Sequence, residues 1–190
     1  DAIKECRLFD TVHICTPNFT HEVIARNVAP YTRIVFIEKP GVIDSKCWQC
    51  LVEDFPRTRF MMVKNNMWRD NIEEMRRLLP IAKSVNITWI NKDRVPNPGT
   101  WFTTKELAFG GVSRDLMPHL LSLYIALNTN WHRTSVNGKA SKTNWQLKDI
   151  DSTDYGVVNP NGIYDVDDFA EIRFTDKWHC VANWRSMSYE

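Results

Sequence analysis

The chain has 190 residues, of which 43% are hydrophobic and 25% charged, and its formal net charge is +1. This composition is typical of globular proteins with one large domain or two small ones. The absence of long basic or acidic runs argues against nucleic-acid partners and a polybasic membrane patch. No apolar stretch approaches the roughly 18 residues of a membrane helix.

The cysteine usage predicts a reducing, cytoplasmic location. The five cysteines, Cys6, Cys15, Cys47, Cys50 and Cys180, are odd in number and widely spread, which argues against a disulfide framework. Cys47 and Cys50 form a lone CxxC. A zinc site would need a second pair of ligands at matching spacing, so no metal is predicted. We interpret both as ordinary helix cysteines.

The first third of the chain alternates apolar runs with helical segments. The predicted strands are Thr11–Thr16, Ile34–Ile37 and Phe60–Val63. One predicted helix follows Thr20, a plausible N-cap, and ends at Pro30. The next begins at an Asp44 or Ser45 cap and ends before Pro56. Connections of this length predict parallel strands with helices packed across them.

The remainder predicts helices on one side of a mostly antiparallel sheet. Its predicted elements are an amphipathic helix within residues 68–84 with Ile72, Met75, Leu78 and Leu79 on its apolar face, a strand over Val85–Ile90, a loop over 91–101 too polar to be core, and a leucine-rich helix over 113–127. Residues 168–174 and 178–185 alternate like two strands joined by a hairpin. Asn161 and Gly162 predict a second hairpin turn.

Polar residues follow two neighbouring predicted strands, where ligands bind in parallel sheets. Thr16, Pro17, Asn18 and His21 follow the first strand, and Glu38, Lys39 and Pro40 follow the second. Pro40 lacks an N–H and ends strand pairing, and it biases Lys39 towards an extended backbone. The local pattern also fits a loop with a capped helix and a surface charge pair, so both interpretations stand.

A third candidate group surrounds the start of the leucine-rich helix. Asp115 and His119 are four residues apart and therefore share one helix face. Pro118 is tolerated in a first helical turn, which places the helix start near Ser113–Asp115. The helix dipole there favours a carboxylate and disfavours an imidazolium, which suits a neutral proton acceptor. Gly110–Gly111 would let the chain pass close to a ligand. A capped helix with a hydrogen-bonded core histidine is the alternative.

Taken together, the ordered stretches ICTPNFTH, VFIEKPGV and GGVSRDLMPH resemble the signatures of the Gfo/Idh/MocA family of nicotinamide-dependent oxidoreductases. The resemblance covers roughly residues 11–186. It implies an α/β fold. A partial Rossmann-type parallel sheet, the remnant of a dinucleotide-binding domain, would occupy residues 1–68. An α+β substrate and oligomerisation domain with a mostly antiparallel, open-faced sheet would occupy residues 69–190.

The resemblance also implies roles for individual residues. Lys39, Asp115 and His119 match the family's catalytic positions, with His119 as the general base. The positions implied at the cofactor are Thr16, Pro17, Asn18, His21, Glu38, Lys39 and Pro40. The implied cofactor is NAD or NADP, and the implied substrate is a sugar, polyol or related hydroxyl compound.

The chain departs from the family pattern in three respects. None of its seven glycines forms GxGxxG, and no acidic residue can be identified that would bind the adenosine ribose. The C-terminal sheet is also expected to stop early, at residues 183–190. We therefore expect either an excerpt of a longer enzyme, which the initial Asp1 favours, or a shortened relative. A non-catalytic sugar-sensing or scaffolding protein is the alternative function, and glycoside cleavage through transient oxidation is a third. A homo-oligomer through the C-terminal sheet is also implied. The apolar stripe Ala170, Ile172, Phe174, Trp178 and Trp184 fits such an interface, but packing under the helices is favoured.

Overall fold

The computed structural model describes residues 9–152 and 154–185, so Cys6 lies outside the described part. The chain divides into two compact units. Among the described residues, the first comprises those up to Lys64 together with Glu106–Phe109, and the second comprises Asn65–Lys105 and those from Gly110 onward. The sequence pattern did not indicate that a four-residue segment returns to the first unit. In the described ranges, no helix has the length and apolar character needed to cross a membrane.

The first unit is a three-stranded parallel sheet with helices between its strands. Its elements are β1 (Phe9–Ile14), α1 (His21–Val28), β2 (Thr32–Ile37), α2 (Ser45–Asp54) and β3 (Arg59–Met62). The strand order is β1-β2-β3, with Val35 of β2 paired to Val12 and to Phe60. The predicted alternation of strands and helices, and their parallel arrangement, are confirmed.

The core of the first unit lies around the central strand β2. Val35 and Ile37 are fully buried, as are Ala25 of α1 and Leu51 of α2. This burial explains the uninterrupted apolar run of β2, because a central parallel strand is covered on both faces. This packing fixes the ends of the strands, and the polar residues come directly after those ends.

Only one of the two predicted helix caps forms. The Asp44 side chain accepts a 2.8 Å hydrogen bond from the N–H of Cys47 and caps α2. This bond lowers the pKa of Asp44. Thr20 occupies the N-cap position of α1, but its hydroxyl donates to the carbonyl of Pro17 at 2.7 Å instead. A 3₁₀ turn over Asn18–Thr20 precedes the helix, and in it the N–H of His21 donates to the carbonyl of Asn18.

The second unit contains a four-stranded mixed sheet. Its elements are α3 (Ile72–Leu78), β4 (Val85–Ile90), α4 (Lys105–Ala108, whose last three residues belong to the first unit), α5 (Val112–Asp115), α6 (Met117–Leu127), β5 (Val136–Ser141), β6 (Phe169–Phe174) and β7 (Trp178–Asn183). The strand order is β4-β7-β6-β5, and only the β4–β7 pair is parallel. The mostly antiparallel sheet and the hairpin between β6 and β7 are confirmed.

The apolar stripe of this sheet packs beneath α6. Tyr124 of α6 stacks on Phe174 at 3.9 Å between ring centroids and meets Trp178 edge-on at 5.3 Å. Trp184 and Cys180 are fully buried in the same cluster. Burial raises the pKa of the Cys180 thiol to about 12. The stripe is therefore part of the core, which is the alternative that the sequence favoured. An oligomer interface would have to use the opposite face of the sheet.

Two predictions for the second unit are wrong. The loop after β4 was expected to be too polar for the core, yet Val95 is 1% exposed and Pro96 and Pro98 are buried. Asn161 and Gly162 do not close a hairpin, because β6 pairs with β5. A Cβ on Gly162 would instead collide with the backbone of Gly99, which shows that this turn packs directly on the loop after β4.

The amphipathic helix is shorter than its sequence pattern. It spans only Ile72–Leu78 within the predicted 68–84 segment. Ile72 is buried as expected, but Leu78, assigned to the apolar face, is 54% exposed.

Candidate active site

The loops after β1 and β2 begin side by side in the first unit. The N–H of Glu38 donates to the carbonyl of Ile14 at 3.0 Å, which extends the pairing of the two strands by one bond. The residues that follow are therefore adjacent at the carboxyl edge of the sheet. We call this set the strand-end edge: Thr16, Pro17, Asn18, Glu38, Lys39 and Pro40.

The loop after β1 is organised by a chain of hydroxyl groups. Thr16 Oγ1 and Thr20 Oγ1 are 2.6 Å apart, and Thr20 donates to the carbonyl of Pro17. Since the Thr20 proton is committed to Pro17, Thr16 is the donor between the two hydroxyls, and its oxygen retains acceptor capacity. Asn18 Nδ2 donates to the carbonyl of Ala108 at 2.9 Å, which fixes the amide.

The loop after β2 turns immediately onto α2. The N–H of Gly41 donates to Met62 Sδ at 3.3 Å, and a Cβ on Gly41 would lie 2.6 Å from Trp48 Cζ3. The Lys39–Pro40 peptide bond is cis. Lys39 itself is half-buried, and its N–H donates to the Glu38 carboxylate at 3.2 Å. The ammonium is thus carried by a short and tightly packed segment.

His21 lies between the two loops of the strand-end edge. The side chain is fully buried. Nδ1 is 2.9 Å from the carbonyl oxygen of Pro40, and Nε2 is 2.8 Å from that of Thr16. Both ring nitrogens of His21, a residue predicted to line the cofactor, thus lie within hydrogen-bond distance of the backbone of the two loops.

In the second unit, Gly110–Gly111 approaches the protein's own backbone. A Cβ on Gly111 would lie 2.8 Å from the carbonyl carbon of Asp167, and the N–H of Val112 donates to the Asp167 carbonyl at 2.9 Å. The Asp167 carboxylate accepts from the N–H groups of Gly111 and Ser113 at 2.9 and 2.7 Å. The close approach that the glycines predicted is therefore made by Asp167, which caps α5.

Asp115 is held by an indole from the end of the sheet. Trp184 Nε1 donates to Asp115 Oδ2 at 3.0 Å, and Trp184 is fully buried. The carboxylate is half-buried, at the last position of α5. A hydrogen bond from a rigid, buried donor restricts the orientation of this carboxylate.

His119 lies one turn further along, in the first turn of α6. Its ring packs on the indole of Trp89, with ring centroids 5.2 Å apart and an interplanar angle of 30°. The Trp89 indole in turn donates to Asn91 Oδ1 at 3.1 Å, and Asn91 is 3% exposed. The imidazole is half-buried, so it is oriented by its neighbours while remaining accessible.

The second unit therefore builds its candidate site at the carboxyl ends of its one parallel strand pair. Trp89 belongs to β4, and Trp184 directly follows β7. Sequence analysis found Asp115 and His119 by their spacing but missed Trp89, Trp184 and Asp167, which orient them. The alternation of β7 indicated that Trp184 is buried, but nothing local linked it to Asp115, 69 positions away.

Within residues 9–152 and 154–185, no group of three or more His, Cys, Asp and Glu side chains is arranged to hold a metal ion.

Comparison with known proteins supports the fold, although no family model matches the chain. A candidate UDP-kanosamine synthase oxidoreductase subunit from Amycolatopsis mediterranei (strain S699) is 32% identical over 120 residues, which make up 60% of this chain and 33% of that protein. The structure of levoglucosan dehydrogenase in complex with NADH and levoglucosan is similar with a TM-score of 0.71 and 20% identity, over 95% of this chain and 49% of that one.

An NAD-binding oxidoreductase from Klebsiella pneumoniae has a TM-score of 0.71 and 19% identity, over 100% of this chain and 52% of that one. The chain thus spans about half the length of these solved structures and a third of the curated relative. The fold is α/β, with a Rossmann-like parallel sheet and a four-stranded mixed sheet like those of its structural neighbours.

Proposed function

We propose that the protein carrying this chain is an NAD(P)-dependent oxidoreductase of the Gfo/Idh/MocA type, acting on a sugar, polyol or related hydroxyl compound. The observation that carries the proposal is the placement of Thr16–Asn18 and Glu38–Pro40 at adjacent ends of parallel strands. Ligands of open α/β sheets bind at such ends. The likeness to an NADH-bound sugar dehydrogenase and the 32% identity to an oxidoreductase subunit support the same conclusion.

The strand-end edge fits a nicotinamide cofactor. It combines an acceptor hydroxyl on Thr16, an amide on Asn18 held at a fixed position, and the ammonium of Lys39. Such a mixture of a few oriented polar groups suits an uncharged carboxamide and a reacting hydroxyl. When bound, the cofactor supplies the hydride chemistry, and the protein supplies position and electrostatics.

The proposed catalytic residues handle the proton. His119 accepts the hydroxyl proton of the substrate, since its imidazole is oriented by Trp89 and accessible. Asp115, held by Trp184, places a carboxylate one turn before the base. The Lys39 ammonium favours the deprotonated form of the hydroxyl by electrostatic attraction.

The test is oxidation of a panel of sugars and polyols, levoglucosan included, by the intact protein with NAD⁺ or NADP⁺. His119→Ala should lower kcat by about 10²-fold or more, as expected for loss of a general base, while NADH affinity changes little. Lys39→Met should lower both turnover and NADH affinity.

Matched controls separate these effects from a general loss of charge or fold. His132→Ala and Lys83→Met change exposed residues of the same type and should leave turnover unchanged. Near-normal activity of His119→Ala would contradict the proposed role. Absence of NADH binding and of turnover in the wild-type protein would instead favour the non-catalytic alternative.

We also propose a homo-oligomer through the open face of the second sheet, in a reducing cytoplasm. That face carries Glu171, which contacts Lys139, Arg173 and His179 at 2.6 to 2.8 Å. An interface there would be polar. Its dissociation by salt, measured by light scattering, is the expected behaviour. A monomer at every salt concentration would contradict it.

A further inference from the structure

We propose that His21 is a positioning residue of the strand-end edge: its buried ring lies between the carbonyls of Thr16 and Pro40, within hydrogen-bond distance of both, and thereby fixes the loop that carries Lys39 against the loop that carries Asn18. The proposal rests on the function proposed above. It assigns His21 a task that does not require contact with the cofactor.

We call the pair of contacts from the His21 ring to the two carbonyls the clasp, and both contacts lie within the first unit. The two acceptors are 24 residues apart in sequence, one in the loop after β1 and the other in the loop after β2. Nδ1 and Nε2 lie 2.9 and 2.8 Å from them, in the range of good hydrogen bonds. The two nitrogens of an imidazole point in different directions, so one ring can reach the carbonyls of two loops.

The chemistry of the acceptors determines what the ring must do. Backbone carbonyl oxygens only accept hydrogen bonds, and a neutral imidazole has a single N–H. One of the two carbonyls would then face a ring lone pair, and a buried acceptor without a donor is unfavourable by about 1–3 kcal/mol. Whichever nitrogen carries the proton, the buried ring occupies the space between the two carbonyls and ties α1 to a loop of the strand-end edge.

The expected role is positional because Pro40 directly follows Lys39. Any movement of the Pro40 carbonyl is transmitted through one peptide unit to Lys39, and movement of the Thr16 carbonyl is transmitted to Pro17 and Asn18. Displacing reacting groups by about 1 Å can lower turnover about 10²-fold. Loss of the clasp should therefore affect catalysis more than its effect on stability would suggest.

The chain provides a matched control at the opposite end of the same sheet. Thr58 is buried, and its hydroxyl faces the carbonyls of Ala29 at 2.8 Å and Thr32 at 3.1 Å. Thr58→Val removes a polar group between two carbonyls without touching the strand-end edge. Thr58→Val therefore reproduces the change in the free energy of unfolding that follows when a polar side chain between two carbonyls is lost.

The experiment compares His21→Phe, His21→Gln and Thr58→Val in the intact protein. NADH affinity is measured by fluorescence titration, and kcat at a temperature where all variants are folded. His21→Phe should lower kcat by about tenfold or more. His21→Gln, which keeps one donor, should recover part of that loss, and Thr58→Val should match the wild type. Equal kcat in all three variants would overturn the proposal.

Two readouts keep this test separate from the proposed function. Amide exchange of residues 16–20 and 38–42 should accelerate in His21→Phe and not in Thr58→Val, whether or not the protein turns over substrate. Proton–nitrogen NMR of the wild-type protein should detect a ring N–H of His21 that exchanges slowly with water, and a rapidly exchanging ring N–H would refute the clasp. A wild-type protein that binds no NADH would refute the proposed function while leaving both readouts measurable.

Discussion

Replacing Gly111 by alanine should displace the start of the helical segment that carries Asp115 and His119. The added Cβ would collide with the carbonyl oxygen of Asp167 and lie 2.8 Å from its carbonyl carbon and 3.0 Å from its nitrogen. All three are backbone atoms and cannot rotate away. Carbon atoms pack at about 3.5–4.0 Å, so the two segments must separate by roughly 1 Å.

This displacement breaks a defined set of hydrogen bonds. The N–H groups of Gly111, Val112 and Ser113 bind Asp167 at 2.9, 2.9 and 2.7 Å. Lengthening them by about 1 Å exceeds the range of a hydrogen bond. At about 1 kcal/mol for each, and more for the two to a carboxylate, we expect a loss of roughly 2–4 kcal/mol in the free energy of unfolding. Turnover should fall by about 10²-fold.

Urea denaturation measures the first effect and steady-state kinetics the second. Gly138→Ala is the control, because its Cβ would lie 3.4 Å from Ile172 Cγ1, an ordinary contact on an exposed strand. Its free energy of unfolding should change by less than about 0.5 kcal/mol. Equal stability of the two variants would refute the argument that Gly111 is required by the close approach of Asp167.

Further predictions concern three other side chains. Trp184→Phe removes the indole donor to Asp115 and should lower kcat by about tenfold, with a loss of stability of roughly 2 kcal/mol measured by urea denaturation. Glu171 has basic neighbours, Lys139 foremost, which lower its pKa from 4.5 to about 2. The ionised Glu171 therefore stabilises the fold above about pH 4.5, and this effect is lost as the pH falls towards 2. Glu171→Gln should therefore lower the free energy of unfolding at pH 7 by roughly 1–2 kcal/mol. The free energy of unfolding of this variant should also depend less on pH between about 4.5 and 2, as measured by urea titrations across that range. The Tyr124 hydroxyl is buried and has no hydrogen-bond partner among the residues that the structure describes, so Tyr124→Phe should stabilise the protein by up to about 1 kcal/mol in thermal denaturation. A loss of stability of that size would contradict this.

The first unit could be predicted because its signals are local. Apolar runs of four to six residues, an Asp44 cap and prolines after the helices define each element within a short window. The parallel arrangement then follows from the lengths of the connections. Thr20 shows where a local signal fails: a 3₁₀ turn placed its hydroxyl beside Pro17, and propensity alone does not report that turn.

The loops of the second unit could not be predicted because their partners are distant in sequence. The Asn161–Gly162 turn fits the pattern of a hairpin, yet it packs on Gly99. Thr103 stabilises the same junction: its hydroxyl donates to the carbonyl of Ile163 at 2.7 Å, and the residue is fully buried. A loop rich in prolines and polar residues can thus be core when another loop satisfies its backbone groups.

Two candidate histidines, one in each unit, show what spacing alone leaves undecided. His21 and His119 each follow a polar signature near a helix start, and the sequence suggested a functional contact for both. The structure buries His21 completely between two carbonyls, whereas His119 is half-buried and packs on Trp89. A ring with both nitrogens engaged can hold loops but cannot take a proton from a substrate, whereas an accessible ring can. Burial and the identity of the acceptors, both of which depend on tertiary contacts, therefore separate a positioning histidine from a candidate base.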